Sequence, residues 1–375
     1  MTMRTLSGGA KAVVVIGALA LSLTACSSIA PATNVGGGET VTLRLASPLP
    51  ATGTYGEALE HWAAAVAEAS DGEIEVEIYT SGSLLSGTDI MPGVSDGRAD
   101  LGLMFSNYHV EQLTLFNAVA TPFVSNNTMA TGAAFKQLYS ESDLMREQFA
   151  TAGIVPLAFV LNGAASTGTR DEITTLSDLE GQRIRVPGTV AQMEGLVGVD
   201  AVFLELAELY EGVDRGVVDG WSGVDFASAM SLGLAEVTPH ATDLGIGQYA
   251  SAAIIVNPDT LAGLSAEHQA IINEVSARYP EALSNVMTDL EARACDNLLD
   301  AGGSATRLSD SAVEKFITAT EDEINASLQR ASVDAGLTAA EHDDFIERYR
   351  ELMTSYDNPS GYVDGLELCV AKSAE

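Results

Sequence analysis

The run Arg183-Ile184-Arg185-Val186-Pro187-Gly188 reads as a short strand driven straight into a helix. Pro187 has no amide donor and a fixed φ, so it cannot extend a strand ladder but suits the first turn of a helix. Strand and helix joined this tightly belong to α/β architecture. An arginine at that junction projects from the carboxyl edge of its sheet, where open α/β sheets take their ligands. Arg183, two residues earlier, faces the same side of a regular strand, either as a supporting positive group or as an ion-pair partner.

The same grammar extends outward in both directions. Residues 154–161 form an apolar strand, Leu176-Ser177-Asp178-Leu179 precedes the turn at Gly181, and residues 252–257 form another strand. Toward the amino end, residues 40–46 alternate and are β-rich, Pro48, Pro50 and Gly53 make a loop, and residues 55–70 have helical apolar spacing. Asp71-Gly72 turns the chain into the strict alternation of residues 73–79, with three acidic side chains on one face. A short helix from Asp89 leads to residues 99–104, a buried strand that opens into Phe105-Ser106-Asn107-Tyr108-His109. Residues 265–301 are helical with Pro280 inside, which must kink or break the helix.

Arg4 and Lys11 precede an apolar run over residues 12–20 and then Leu23-Thr24-Ala25-Cys26. This pattern predicts a lipoprotein signal peptide over 1–25, export, and a lipid anchor on Cys26 that holds the chain at a membrane surface. Residues 26–39 are small, polar and Gly-rich, ending in Gly36-Gly37-Gly38, and read as a flexible tether. Outside the cytoplasm Cys295 and Cys369 are either bridged, closing a long loop at about 2–4 kcal/mol, or two separate buried thiols.

The chain holds 52 acidic against 18 basic residues, a net charge of −34. Nucleic acid is excluded as a partner, and such a charge keeps a protein soluble and monomeric. It also means that capture of an anion requires one local positive group. Enzymatic chemistry finds no positive argument. His61, His109, His240, His268 and His342 have no metal-ligand spacing, and neither a P-loop nor a Gly-x-Ser-x-Gly elbow occurs. No cofactor and no metal are expected.

The order and spacing of Arg185-Val186-Pro187-Gly188, Ala191-Gln192, Gly198-Val199-Asp200-Ala201, Glu208-Leu209-Tyr210 and Gly216-Val217-Val218-Asp219-Gly220 resemble one family signature. Leu84-Leu85, Gly97-Arg98-Ala99-Asp100-Leu101 and Thr121-Pro122-Phe123 support it. The chain, from about residue 40 to about 302, is similar to the extracytoplasmic solute-binding subunits of TRAP transporters, secondary carriers that import organic acids across bacterial membranes. The resemblance implies a two-lobed periplasmic-binding-protein-like α/β fold with a hinge and a long kinked helix bracing both lobes. It implies a membrane permease as partner and Arg185 as the clamp on a ligand carboxylate. Lobe I is expected over 40–162 plus 251–290 and lobe II over 163–250 plus 291–375.

Two departures from the family shape the expected ligand. Ala164 and Ala165 stand where many members carry a second arginine, and Trp221-Ser222-Gly223 stands where an asparagine is common. A monocarboxylate with an apolar, aromatic or keto-bearing body follows, with Trp221 either stacking on it or packing in the core. Further candidate contacts are Phe105, Ser106, Asn107 and Tyr108 at the strand edge, Tyr55 from the first loop, Asn162 at the hinge, and Pro187 beside the clamp. The rival readings are a sensor module on the same fold and a secreted lyase or hydrolase.

Overall fold

The computed structural model describes residues 40–118, 121–160, 163–356 and 363–373. Cys26, the leader, the tether and Asn162 lie outside them. Strand β1 (Val41–Ala46), helix α1 (Thr54–Ala69), β2 (Ile74–Tyr79), α2 (Ile90–Ser95) and β3 (Leu101–Phe105) open the chain. Helices α3 (Thr114–Ala118), α4 (Thr128–Glu141) and α5 (Asp143–Thr151) lead to β4 (Val155–Val160). The chain then crosses into β5 (Ala165–Thr169), β6 (Arg183–Arg185), α6 (Gly188–Gly195), β7 (Asp200–Val202), α7 (Leu209–Asp214), β8 (Gly220–Asp225), α8 (Phe226–Ser231) and β9 (His240–Asp243). It returns through β10 (Ala252–Val256), α9 (Pro258–Gly263) and α10 (Ala266–Asp300). Strand β11 (Ser304–Arg307) and helices α11 (Asp310–Asp334), α12 (Ala339–Tyr356) and α13 (Gly365–Ser373) follow.

Two sheets result, ordered β2-β1-β3-β10-β4 and β11-β9-β5-β8-β6-β7. Each is mainly parallel and takes one antiparallel crossing strand into its interior, β10 in the first and β5 in the second. Strand β3 is buried along its whole length because helices cover both faces of its sheet. Strand β2 is an edge, and its exposed Glu75 and Glu77 keep that edge from pairing with another chain.

Helix α1 buries Tyr55, Ala58, Leu59, Trp62 and Val66, a stripe of helical spacing, against one face of the first sheet and against α10. On the opposite face Phe116, Phe135, Phe149 and Phe159 pack with Tyr349 and Leu352. Those last two belong to α12, which packs on α4. Residues 291–375 therefore do not all join the second lobe as expected. Helix α12 carries Phe345, Tyr349, Leu352 and Met353 on one face, and burying that stripe against the first lobe draws it back across the molecule.

Helix α10 runs through Pro280 without ending, and its two halves serve different cores. Ile272, Val275, Tyr279 and Leu283 pack under the first sheet, while Ala294, Cys295 and Leu298 pack with Phe226 and Leu366 of the second lobe. Cys295 and Cys369 are bonded as a disulfide across a sequence separation of 74, which ties α13 to α10. Among the described residues no helix is long and apolar enough to cross a membrane.

Candidate functional site

Arg185 ends β6, one strand in from the β7 edge, with β7 and β8 on either side in parallel register. The chain turns sharply at Pro187, whose ring packs against Gly223, so the arginine side chain leaves the strand end toward the first lobe. It is 1 % exposed. Its Nε donates to the Leu204 carbonyl at 2.9 Å, and its Nη2 lies 3.4 Å from the Tyr108 hydroxyl of the first lobe. Nη1 is buried with no partner among the described residues. Burial pulls the guanidinium below its ordinary pKa, opposed by Tyr108, Tyr249 and Glu205. No carboxylate bonds it directly among the described residues. A buried cation in this state lacks the anionic partner that would offset its desolvation.

The first lobe meets this group with the segment after β3. Asn107 packs on Gly188 so closely that a Cβ there would sit 3.0 Å from the asparagine Cβ, and the Asn107 Oδ1 is buried without a partner among the described residues. The Tyr108 ring meets Phe203 edge-on at 6.0 Å. Phe105 meets Tyr55 edge-on at 5.7 Å, and the Tyr55 hydroxyl donates to Asp225 across the lobes at 3.2 Å. Burial and the Asp225 charge push the Tyr55 phenol well above its ordinary pKa, so it acts as a neutral donor. His109 is pulled down to about 4 by burial, leaving a neutral imidazole whose Nε2 is unpaired among the described residues.

The sequence candidates separate into two groups here. Arg185, Tyr108, Asn107, Phe105, Tyr55 and Pro187 converge between the lobes. Trp221 does not line the site as a stacking wall. It is fully buried with Leu209, Val213 and Val218, its ring against Gly168 and its indole N–H donated to Thr238 at 2.8 Å, so its side chain is spent in the second lobe's core. Ser106 also has its hydroxyl committed, accepting at 2.8 Å from Ser251, which lies just before β10. Arg183 is an ion-pair partner of Asp219 at 2.6 Å and half-exposed.

Tyr249, Asp225 and Glu205 escaped the sequence reading. Tyr249 lies in the crossing segment before β10, beside Gly223, and its phenol is raised well above the ordinary value by burial and then by Asp225, with Arg185 opposing. No periodicity marks a residue in a hinge crossing. Asp225 looks like a helix cap in sequence, and it is one, accepting from the Ser228 amide. Its second oxygen reaches Tyr55, a contact between residues 170 apart.

Two α/β lobes joined by crossing segments, closing on a buried arginine, define a ligand-capturing binding protein. The chain belongs to the bacterial extracellular solute-binding proteins of family 7, the TRAP-type solute-binding proteins, whose family model matches residues 45–330. It is 26 % identical over 244 residues to the monocarboxylate 2-oxoacid-binding periplasmic protein of Nostoc sp., spanning 64 % of this chain and 66 % of that one. It is 25 % identical over 288 residues to the ectoine/5-hydroxyectoine-binding periplasmic protein of Ruegeria pomeroyi, spanning 72 % and 84 %. In structure it resembles a marine metagenome TRAP solute-binding protein specific for aromatic acid ligands, crystallised with 3-hydroxybenzoate. That match has a TM-score of 0.77 and 23 % identity, and covers 86 % of this chain and all of the other.

Proposed function

We propose that this protein captures a small monocarboxylate with an aromatic or keto-bearing body, outside the cytoplasm, and delivers it to a TRAP-type permease. The observation that carries the proposal is Arg185, buried to 1 % exposure with a donor nitrogen unpaired among the described residues. A guanidinium offers two parallel donors that match a carboxylate, and the pair is strongest in a closed, dry site. Phe105, Tyr108, Tyr55 and Tyr249 give the surroundings an aromatic character suited to a flat or apolar body. The 2-oxoacid and aromatic-acid specificities of two relatives agree with that chemistry. Cys26 is proposed as the site of lipid attachment, keeping the protein near its permease.

The test is calorimetric titration of the tether-free protein with benzoate, 3-hydroxybenzoate, pyruvate, succinate and ectoine, repeated with Arg185→Ala. A monocarboxylate should bind best. Truncating one partner of a buried charge pair costs about 2–5 kcal/mol, so the variant should bind roughly 30-fold to several thousandfold more weakly. A best ligand without a carboxylate, or equal affinity of both proteins, would overturn the proposal.

A further inference from the structure

Three consecutive residues after β7, Phe203, Leu204 and Glu205, each make a different contact with the clamp or with the opposite lobe. Phe203 lays its ring against Tyr108 although 56 % of it remains exposed. The Leu204 carbonyl accepts from Arg185 Nε. The Glu205 carboxylate crosses to the first lobe, where it accepts from the Gly87 amide at 3.0 Å and from the Thr88 hydroxyl at 2.8 Å. The same carboxylate caps the turn that follows it, accepting from the amide of Glu208, whose own carboxylate accepts from the Glu205 amide. One side chain therefore fixes the local backbone and grips the other lobe.

We propose that Glu205 is a closure latch and a positioning residue for Arg185. When its carboxylate engages Gly87 and Thr88, the Leu204 carbonyl is held where it orients the guanidinium, and Phe203 meets the Tyr108 ring whose hydroxyl abuts Arg185. Lobe closure and clamp geometry become one event. The negative charge of Glu205 also acts favourably on the buried guanidinium from outside its hydrogen-bond shell. Hydrogen bonds to an ionised acceptor are stronger than neutral ones, so a charged side chain suits a contact that must form and break with each cycle of capture. The effect belongs in the dissociation rate, because a latch that is closed over bound ligand must open before the ligand can leave.

The positioning role rests on the reading of Arg185 as a carboxylate clamp, whereas the latch itself is testable without ligand. Glu205→Ala, Glu205→Gln and Thr88→Val are compared with the unaltered chain. Hydrogen exchange followed by mass spectrometry reads the amides of residues 87–95 in the free protein. Glu205→Ala should accelerate exchange at Gly87 and Thr88, and exchange equal to that of the unaltered chain would overturn the latch. With 3-hydroxybenzoate, or pyruvate if that binds better, stopped-flow measurement should show dissociation about tenfold faster for Glu205→Ala. Association should change by less than about threefold. Glu205→Gln, which keeps one acceptor oxygen for Thr88, should recover part of that loss. Glu205→Ala and Thr88→Val should be non-additive when combined, as residues sharing one contact are. Additive effects, or faster exchange without faster dissociation, would overturn the coupling of latch to clamp. A loss of carboxylate binding by the unaltered chain would instead strike the function proposed above and leave the exchange result standing.

Discussion

Replacing Glu194 with glutamine should make this protein resistant to alkaline destabilisation. Glu194 lies on α6, nine residues after Arg185, and is fully buried. One of its oxygens accepts from the Ser222 hydroxyl, which in turn contacts the Thr167 hydroxyl at 2.9 Å, and the other has no partner among the described residues. Burial raises its pKa from 4.5 to about 8. Below pH 4.5 the carboxyl is neutral in both folded and unfolded chains and contributes nothing to the pH dependence. Between 4.5 and about 8 the unfolded chain releases the proton while the folded chain keeps it, so stability falls as pH rises, by about 1.4 kcal/mol per unit. Above about 8 both are ionised and the full penalty, on the order of 5 kcal/mol, has accumulated. Glutamine retains an acceptor for Ser222 and cannot ionise. Its extra amide donors replace a carboxyl donor that is equally short of partners, so the variant should match the unaltered protein within about 1 kcal/mol at pH 5. Urea unfolding at pH 5, 7 and 9 provides the measurement. Asp364, raised to about 7 by burial, titrates in the same window in both proteins and cancels in the difference. Parallel stability curves from pH 5 to 9 would refute the assignment of a neutral Glu194.

Two further substitutions test the frame around the site. Cys369→Ser opens a loop of sequence separation 74 and should cost about 2–4 kcal/mol, read as a lower urea midpoint that matches the reduced, unaltered protein; an unchanged midpoint would remove the disulfide from the account of stability. Gly168→Ala would place a Cβ 2.3 Å from Trp221, whose indole cannot retreat without losing Thr238, so a cost of about 1–3 kcal/mol and an altered tryptophan emission are expected. An alanine variant with unchanged emission and melting temperature would show that the indole is free to move.

Much of the architecture was legible because it is written in local periodicity. The alternation of Ile74, Val76 and Ile78 with acidic residues marked a strand with one acidic face, and the apolar spacing from Tyr55 to Val66 marked a helix, the one that covers the first sheet. Pro187 after Arg185 marked the junction that points a cation at the space between the lobes. Helix α12 was misassigned because an amphipathic stripe shows that a helix has a buried face and says nothing of which core receives it. Trp221 was ambiguous for the same reason, since a period of two states that side chains alternate without stating which face holds solvent, ligand or core.

The amino-acid sequence by itself determined the α/β class, the strand-to-helix junction at Arg185 and the scarcity of positive charge that makes this arginine stand out. Each depends on near neighbours in the chain or on composition. The tertiary structure alone decided that Arg185 is buried against Tyr108, that Tyr55 reaches Asp225 at a sequence distance of 170, and that Glu205 spans the lobes to Gly87 and Thr88. These contacts join segments through closure of two separately folded sheets, and no local pattern encodes the orientation of one sheet against another.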